Sequence, residues 1–242
     1  MTSVEPVVDG LRPPVPVMPP RNMICLGKNY REHAVEFAAF SGEEESAPSS
    51  PIVFTKPVSA LCGARDVIIV DGNVTSQLDY EVELGVVIGL AGRSIPLGDA
   101  RRHIAGYTVV NDVTARDLQQ RHHQWFLGKS LPRATPVGPV VVPPEDLPAL
   151  EERWIRCWVN DELRQESTLG QMIFGVSEAI SLISAIVPLE AGDVIAMGTP
   201  SGVGVGFDPP RFLEDGDRMV CEIEGIGRQE NVVRFVEVPE SS

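Results

Sequence analysis

Short runs of β-branched and other apolar residues, cut off every few positions by Gly, Pro or Asp, dominate the chain, and each reads as a strand. They are Met23–Gly27, Ile52–Thr55, Val67–Val70, Glu81–Ile88, Tyr107–Val110, Trp154–Val159, Asp193–Met197 and Met219–Ile223. Helical spacing is confined to Asn29–Phe40, Leu97–Ile104, Ala115–His122 and Gly170–Ile186, the last with a long apolar stripe. Strands outnumber helices without regular βαβ alternation, which predicts a β-rich α+β domain rather than a doubly wound sheet. Residues 1–20 are Pro-rich and read as an extended arm, leaving 21–242 as a single domain. The acidic, Ser/Pro-containing stretch Gly42–Pro51 has no periodicity and reads as a mobile loop, placed after a helix where it could gate a cleft.

Charge narrows the function classes. Twenty Lys and Arg stand against 34 Asp and Glu, a formal net charge of -14, which argues against a nucleic-acid surface or binding to acidic lipid. A bound divalent cation with a few local Lys or Arg residues can still make one cleft attractive to an anion. No uninterrupted apolar run reaches the roughly 18–20 residues a membrane helix needs, and Met1–Pro20 lacks the pattern of a secretory leader, so a cytoplasmic protein is expected. Cys25, Cys62, Cys157 and Cys221 are far apart with no C-x-x-C pair, which suits reduced core residues.

The sharpest chemical signal is Asp79-Tyr80-Glu81-Val82-Glu83-Leu84-Gly85. Residues two apart on a strand share a face, so Glu81 and Glu83 would project together and repel unless a cation lies between them. A half-buried strand with its polar face in water is the plainer reading, but Leu84–Ile88 is apolar on both faces and points to a strand entering a core. Asp112, at the end of another apolar run, is either a helix cap or a third acid. If it joins Glu81 and Glu83, the oxygen-only donor set favours Mg2+ or Mn2+ over Zn2+. His33 and Glu36 are three apart on a predicted helix, where the carboxylate could orient the imidazole for water activation or the two could form an ordinary surface contact. Lys129 and Lys56 are framed by apolar residues and could bind a carboxylate or enolate oxygen, or reach out to solvent. Gly198–Gly206 could offer backbone N–H groups to an anion, but it lacks the Gly-Lys-Ser/Thr ending of a phosphate loop.

Read in order from about Met23 to Val233, these segments resemble the fumarylacetoacetate hydrolase family. The resemblance is carried by KNYREH at residues 28–33, FTKP at 54–57, DYEVELGVVIG at 79–89, GYTVVNDVTARDLQ at 106–119, GKS at 128–130 and GDVIAMGTPSGVG at 192–204. It implies a β-roll catalytic domain, usually dimeric, with Mg2+ or Mn2+ on Glu81, Glu83 and Asp112. In acylpyruvate-hydrolysing relatives a His/Glu pair on a lid-like helix activates water while a Lys and a Gln assist the substrate. Those positions fall on His33, Glu36, Lys129 and Gln119, and Arg116 and Thr199 match positions that bind the substrate acid. The implied function is metal-dependent cleavage of a carbon–carbon bond in a small 2,4-dioxo acid of the acylpyruvate or fumarylpyruvate type, through a metal-stabilised enolate. The same site could serve a 2-hydroxyhepta-2,4-diene-1,7-dioate isomerase or an oxaloacetate-type decarboxylase, and a non-catalytic binding protein retaining the fold is the alternative of another class. After Ser130 the chain departs from the family pattern with Leu131-Pro132-Arg133, an added cation that either meets a second substrate carboxylate or faces solvent.

Overall fold

The computed structural model describes residues 15–41, 48–122 and 124–238. Residues 1–14 of the predicted arm, 42–47 of the predicted loop with its gating role, and His123 lie outside the described residues. Two sheets carry the fold. The larger runs, in spatial order, through Ile52–Lys56, Met23–Gly27, Val194–Ala196, Val82–Ile88, Ile104–Asn111, Thr135–Val137 and Leu61–Gly63. The second, five-stranded sheet runs through Glu162–Thr168, Trp154–Val159, Arg218–Ile223, Gly227–Val236 and Ile68–Asp71. Neighbours are mostly antiparallel; Met23–Gly27 with Val194–Ala196, Leu61–Gly63 with Thr135–Val137, and Gly227–Val236 with Ile68–Asp71 are parallel. The result is the β-rich roll that the pattern and the resemblance predict.

Val82–Ile88 is buried along its whole length, because sheet neighbours flank both of its edges and apolar clusters pack on both of its faces. That burial rejects the water-facing reading of the two glutamates. Ile104–Asn111 pairs with it antiparallel, Val82 opposite Asn111, so the chain leaving Asn111 returns Asp112 to the level of Glu81. Asp112 N donates to Glu81 O at 2.8 Å, and Asn111 Oδ1 accepts from Glu81 N at 3.0 Å. A two-strand ladder of Leu78–Asp79 with Thr114–Ala115 closes that end of the hairpin.

Where elements differ from expectation, backbone bonding supplies the reason. The α-helix expected over Gly170–Ile186 starts only at Val176. Asn29 captures the segment before it: Asn29 O accepts from Ile173 N at 2.7 Å, Oδ1 accepts from Phe174 N at 2.8 Å, and Nδ2 donates to Phe174 O at 3.0 Å and Met197 O at 2.7 Å. Leu97–His103 is a 3₁₀ rather than an α-helix. Leu61–Gly63, Thr135–Val137, Glu162–Thr168 and Gly227–Val236 are strands that the apolar pattern alone does not single out. All four cysteines are free and buried. Among the described residues no helix is long and apolar enough to cross a membrane.

Candidate active site

Glu81, Glu83 and Asp112 are buried and converge: one oxygen from each lies within 4.8 Å of the others. Three carboxylates at such a distance repel strongly unless cations intervene. Lys129 Nζ donates to Glu81 Oε2 and Asp112 Oδ2, both at 2.7 Å. Lys56, completely buried, reaches Asp112 Oδ1 and donates to Val113 O at 2.9 Å. Arg116 NH2 stands 2.6 Å from Glu81 Oε1, while its Nε donates to Asp79 Oδ2 at 2.8 Å and its NH1 to Gln119 Oε1 at 3.0 Å. Lys56, Lys129 and Arg116 thus face Asp79, Glu81, Glu83 and Asp112, leaving one negative charge uncompensated when all are ionised.

The deficit falls on Glu83. Its hydrogen bond among the described residues is the one from Gly198 N, at 2.8 Å. Burial, then the neighbouring Asp112 and Glu81, push its pKa well above the carboxylate range, only partly opposed by Lys129 and Gly198. Glu81 is as deeply buried, which raises its pKa, but Lys129 and Arg116 overcome that and hold it at about 2. Burial likewise disfavours the Lys129 ammonium, yet Asp112 and Glu81 keep its pKa above the usual lysine value.

A hard divalent cation fits these residues. Each oxygen of Glu81 and Asp112 already meets one cationic group, but a carboxylate offers about four lone-pair directions, so each retains capacity for an ion. Glu83, the least compensated member, supplies the charge that a 2+ ion would neutralise. Sulfur and imidazole ligands are absent from the trio, which favours Mg2+ or Mn2+ chemistry.

A narrow cleft over Glu81 and Glu83 is lined by His33, Lys28, Phe37, Phe54, Trp125, Arg116, Gln119, Lys129 and Thr199 among others. Of the residues that the sequence points to, His33, Glu81, Glu83, Arg116, Gln119, Lys129 and Thr199 line this cleft, whereas Asp112 and Glu36 stand behind it in contact with Lys129 and His33, and Lys56 stands behind Asp112. His33, on the helix Arg31–Ser41, has Nδ1 3.4 Å from Glu36 Oε2, and is buried rather than at the surface. Glu36 is fixed in turn by Gly202 N, which donates to its two oxygens at 3.0 and 3.2 Å. Thr199 Oγ1 accepts from Gln165 Nε2 at 2.7 Å, and Gln165 Oε1 accepts from Val82 N at 3.1 Å. Phe37 and Phe54 each meet Trp125 edge-on, with centroids 5.6 and 5.4 Å away, forming an aromatic wall. Arg133 lies outside the site: it pairs with Asp66 at 2.8 Å with its side chain 68% exposed, the solvent-facing alternative.

Asp79, Gln165 and Asn29 are the polar residues that the sequence does not reveal as parts of the site. Each is buried and bonded to backbone far away in sequence, so only the folded chain brings out its partners.

A family model described as fumarylacetoacetate (FAA) hydrolase C-terminal matches residues 22–234. The Bacillus subtilis (strain 168) oxaloacetate tautomerase YisK is 48% identical over 223 residues, spanning 92% of this chain and 72% of that protein. Among solved structures, the fumarylacetoacetate hydrolase of Exiguobacterium antarcticum superposes with a TM-score of 0.85 at 42% identity, covering 95% of this chain and 80% of the other. The fumarylpyruvate hydrolase of Pseudomonas aeruginosa, solved with Mn2+ and pyruvate, gives a TM-score of 0.80 at 30% identity over 96% of this chain and all (100%) of the other. With the match running from the first core strand into the last, this chain belongs to the fumarylacetoacetate hydrolase family.

Proposed function

We propose that the protein is a divalent-metal-dependent enzyme that moves a proton at the carbon next to the keto group of a small α-keto acid, interconverting keto and enol forms of an oxaloacetate-like dicarboxylate. The observation that carries this reading is the buried trio of Glu81, Glu83 and Asp112, in which Glu83 takes no share of the ion pairs made by Lys56, Lys129 and Arg116, set beneath a cleft that also holds His33. The 48% identity to an oxaloacetate tautomerase supports proton transfer as the reaction.

A divalent ion held by the three carboxylates would supply electrophilic stabilisation of the negative charge that develops on the keto oxygen. The remaining work falls to the chain's own side chains. Lys129 presents an ammonium at the floor of the cleft, where it can donate to an oxygen of the substrate while Glu81 and Asp112 keep it charged. Gln119 and Thr199 add neutral polar groups, and Arg116 adds a cation, along the same cleft. His33 is the proton carrier: with Nδ1 turned to Glu36, Nε2 is the nitrogen left to take or return a proton. Glu36 never needs to enter the cleft, because its role is to fix the tautomer and ring plane. Phe37, Phe54 and Trp125 exclude water from the reacting carbon, which strengthens each of these electrostatic contacts.

Carbon–carbon hydrolysis of an acylpyruvate is the second reading. The His33–Glu36 contact favours it, since the same imidazole could activate water, and the Pseudomonas aeruginosa neighbour is a fumarylpyruvate hydrolase. Incubation with Mg2+ and either enol-oxaloacetate or fumarylpyruvate, followed by NMR, separates the two. Accelerated loss of the enol without pyruvate supports the tautomerase; release of pyruvate and fumarate supports the hydrolase; no metal-dependent change in either substrate overturns both.

A further inference from the structure

Asp79 sits two residues before Glu81 and is completely buried. Its carboxylate accepts four hydrogen bonds: Oδ1 from Tyr80 N at 2.9 Å and Gly204 N at 2.7 Å, Oδ2 from Arg116 Nε at 2.8 Å and Val205 N at 3.0 Å. Two of these donors, Gly204 and Val205, belong to the loop that holds Glu36 through Gly202 N. A third, Arg116, touches Glu81 at 2.6 Å. Asp79 therefore joins the metal-side carboxylates to the support of the His33–Glu36 pair.

We infer that Asp79 is a positioning residue, which locks the 200–206 loop to Arg116 and so fixes the distance between the His33–Glu36 pair and the carboxylate trio. The inference rests on the proton-transfer role proposed above for that pair. Had Asp79 served only to neutralise Arg116, the loop amides would not be needed, because Arg116 already faces Glu81. The loop is pressed onto the acids at both contacts. A Cβ on Gly204 would lie 2.7 Å from Asp79 Oδ1 and 2.4 Å from Arg211 O, and one on Gly206 would lie 2.1 Å from Glu36 Oε1.

Asp79→Asn tests the inference, because either orientation of the amide sets its NH2 against two donors, Tyr80 and Gly204 N–H on one side or Arg116 and Val205 N–H on the other. One side must let go. Turnover should fall by about tenfold or more while Mn2+ affinity changes by less than about threefold, and amide hydrogen exchange should rise at Gly202, Gly204 and Val205. In a Glu36→Gln background the same substitution should cost less than about threefold, since its route to the reaction is already cut. Gly204→Ala, which pushes the loop off Asp79 from the other side, should reproduce the pattern and serves if Asp79→Asn does not fold. Equal losses with and without Glu36, or a loss of Mn2+ affinity matching the loss of turnover, would overturn the coupling. Should Glu36→Gln alone leave turnover unchanged, the proton-transfer reading fails, and loop exchange then decides separately: unchanged exchange in Asp79→Asn rejects the lock, raised exchange retains it.

Discussion

Replacing Glu83 by Gln keeps an acceptor for Gly198 N–H and removes both the charge and the proton, so it isolates what the carboxylate contributes to holding an ion. Removing one partner from a buried charge pair costs about 3–5 kcal/mol, which at about 1.4 kcal/mol per decade lowers divalent-ion affinity by about two to three and a half orders of magnitude at high pH. That advantage shrinks on acidification. Glu83 is buried beside Asp112 and Glu81 and has a raised pKa, so an incoming ion must first expel its proton. Each pH unit below that raised value costs about 1.4 kcal/mol, so the affinities of the native chain and of Glu83→Gln should converge by about tenfold per unit. Stability follows with a defined sign. Between the ordinary value of 4.5 and the raised one, the folded metal-free chain holds a proton that the unfolded chain has released. Its contribution is full below the ordinary value and is lost as pH rises through the window, so the melting temperature of the metal-free protein should decline there, more in the native chain than in Glu83→Gln. Calorimetric titration with Mn2+ in buffers of different ionisation heat counts the protons released, up to one per ion for the native chain and fewer for the variant. Equal affinities and equal proton release in the two proteins would refute the reasoning.

Other expectations follow from neighbouring contacts. His33→Ala should leave Mn2+ affinity near the native value while turnover drops by about 10²-fold or more, as for removal of a general base; calorimetry and initial rates on one preparation check both. Lys129→Met takes a buried ammonium from between Glu81 and Asp112, so the metal-free protein should lose about 3–5 kcal/mol in denaturant unfolding, with a smaller loss when Mn2+ is saturating. Asn29→Ala removes three side-chain bonds to Phe174 and Met197, and should destabilise the protein by about 2–4 kcal/mol while sparing the acid trio's ion affinity.

The glutamate pair is legible in the sequence because the strand period alone puts Glu81 and Glu83 on one face, and because a fully apolar continuation shows that the face is interior. Asp112 is legible only as a candidate: helix capping explains an Asp there equally well until the hairpin register returns it beside Glu81. The roles of Asp79 and Gln165 are invisible in the linear text, since their partners lie 37 and 125 residues away for Asp79 and 83 for Gln165. Strands escape notice for a related reason. Glu162–Thr168 and Gly227–Val236 carry charged and amide residues where a strand pattern shows apolar ones, and Gln165 and Gln229 are buried to bond distant backbone instead of packing a core. The early start expected for the Val176–Ile186 helix has the same origin, a single distant Asn29 bonding residues 173–174 and keeping them out of the helix.

The central claim, that three acids from two distant strand ends share one divalent ion, is tested most directly by anomalous diffraction from crystals soaked in Mn2+. The expected result is one peak about 2.1 Å from an oxygen of each of Glu81, Glu83 and Asp112. A well-occupied peak elsewhere, or density showing no ion among those side chains at millimolar Mn2+, would contradict it.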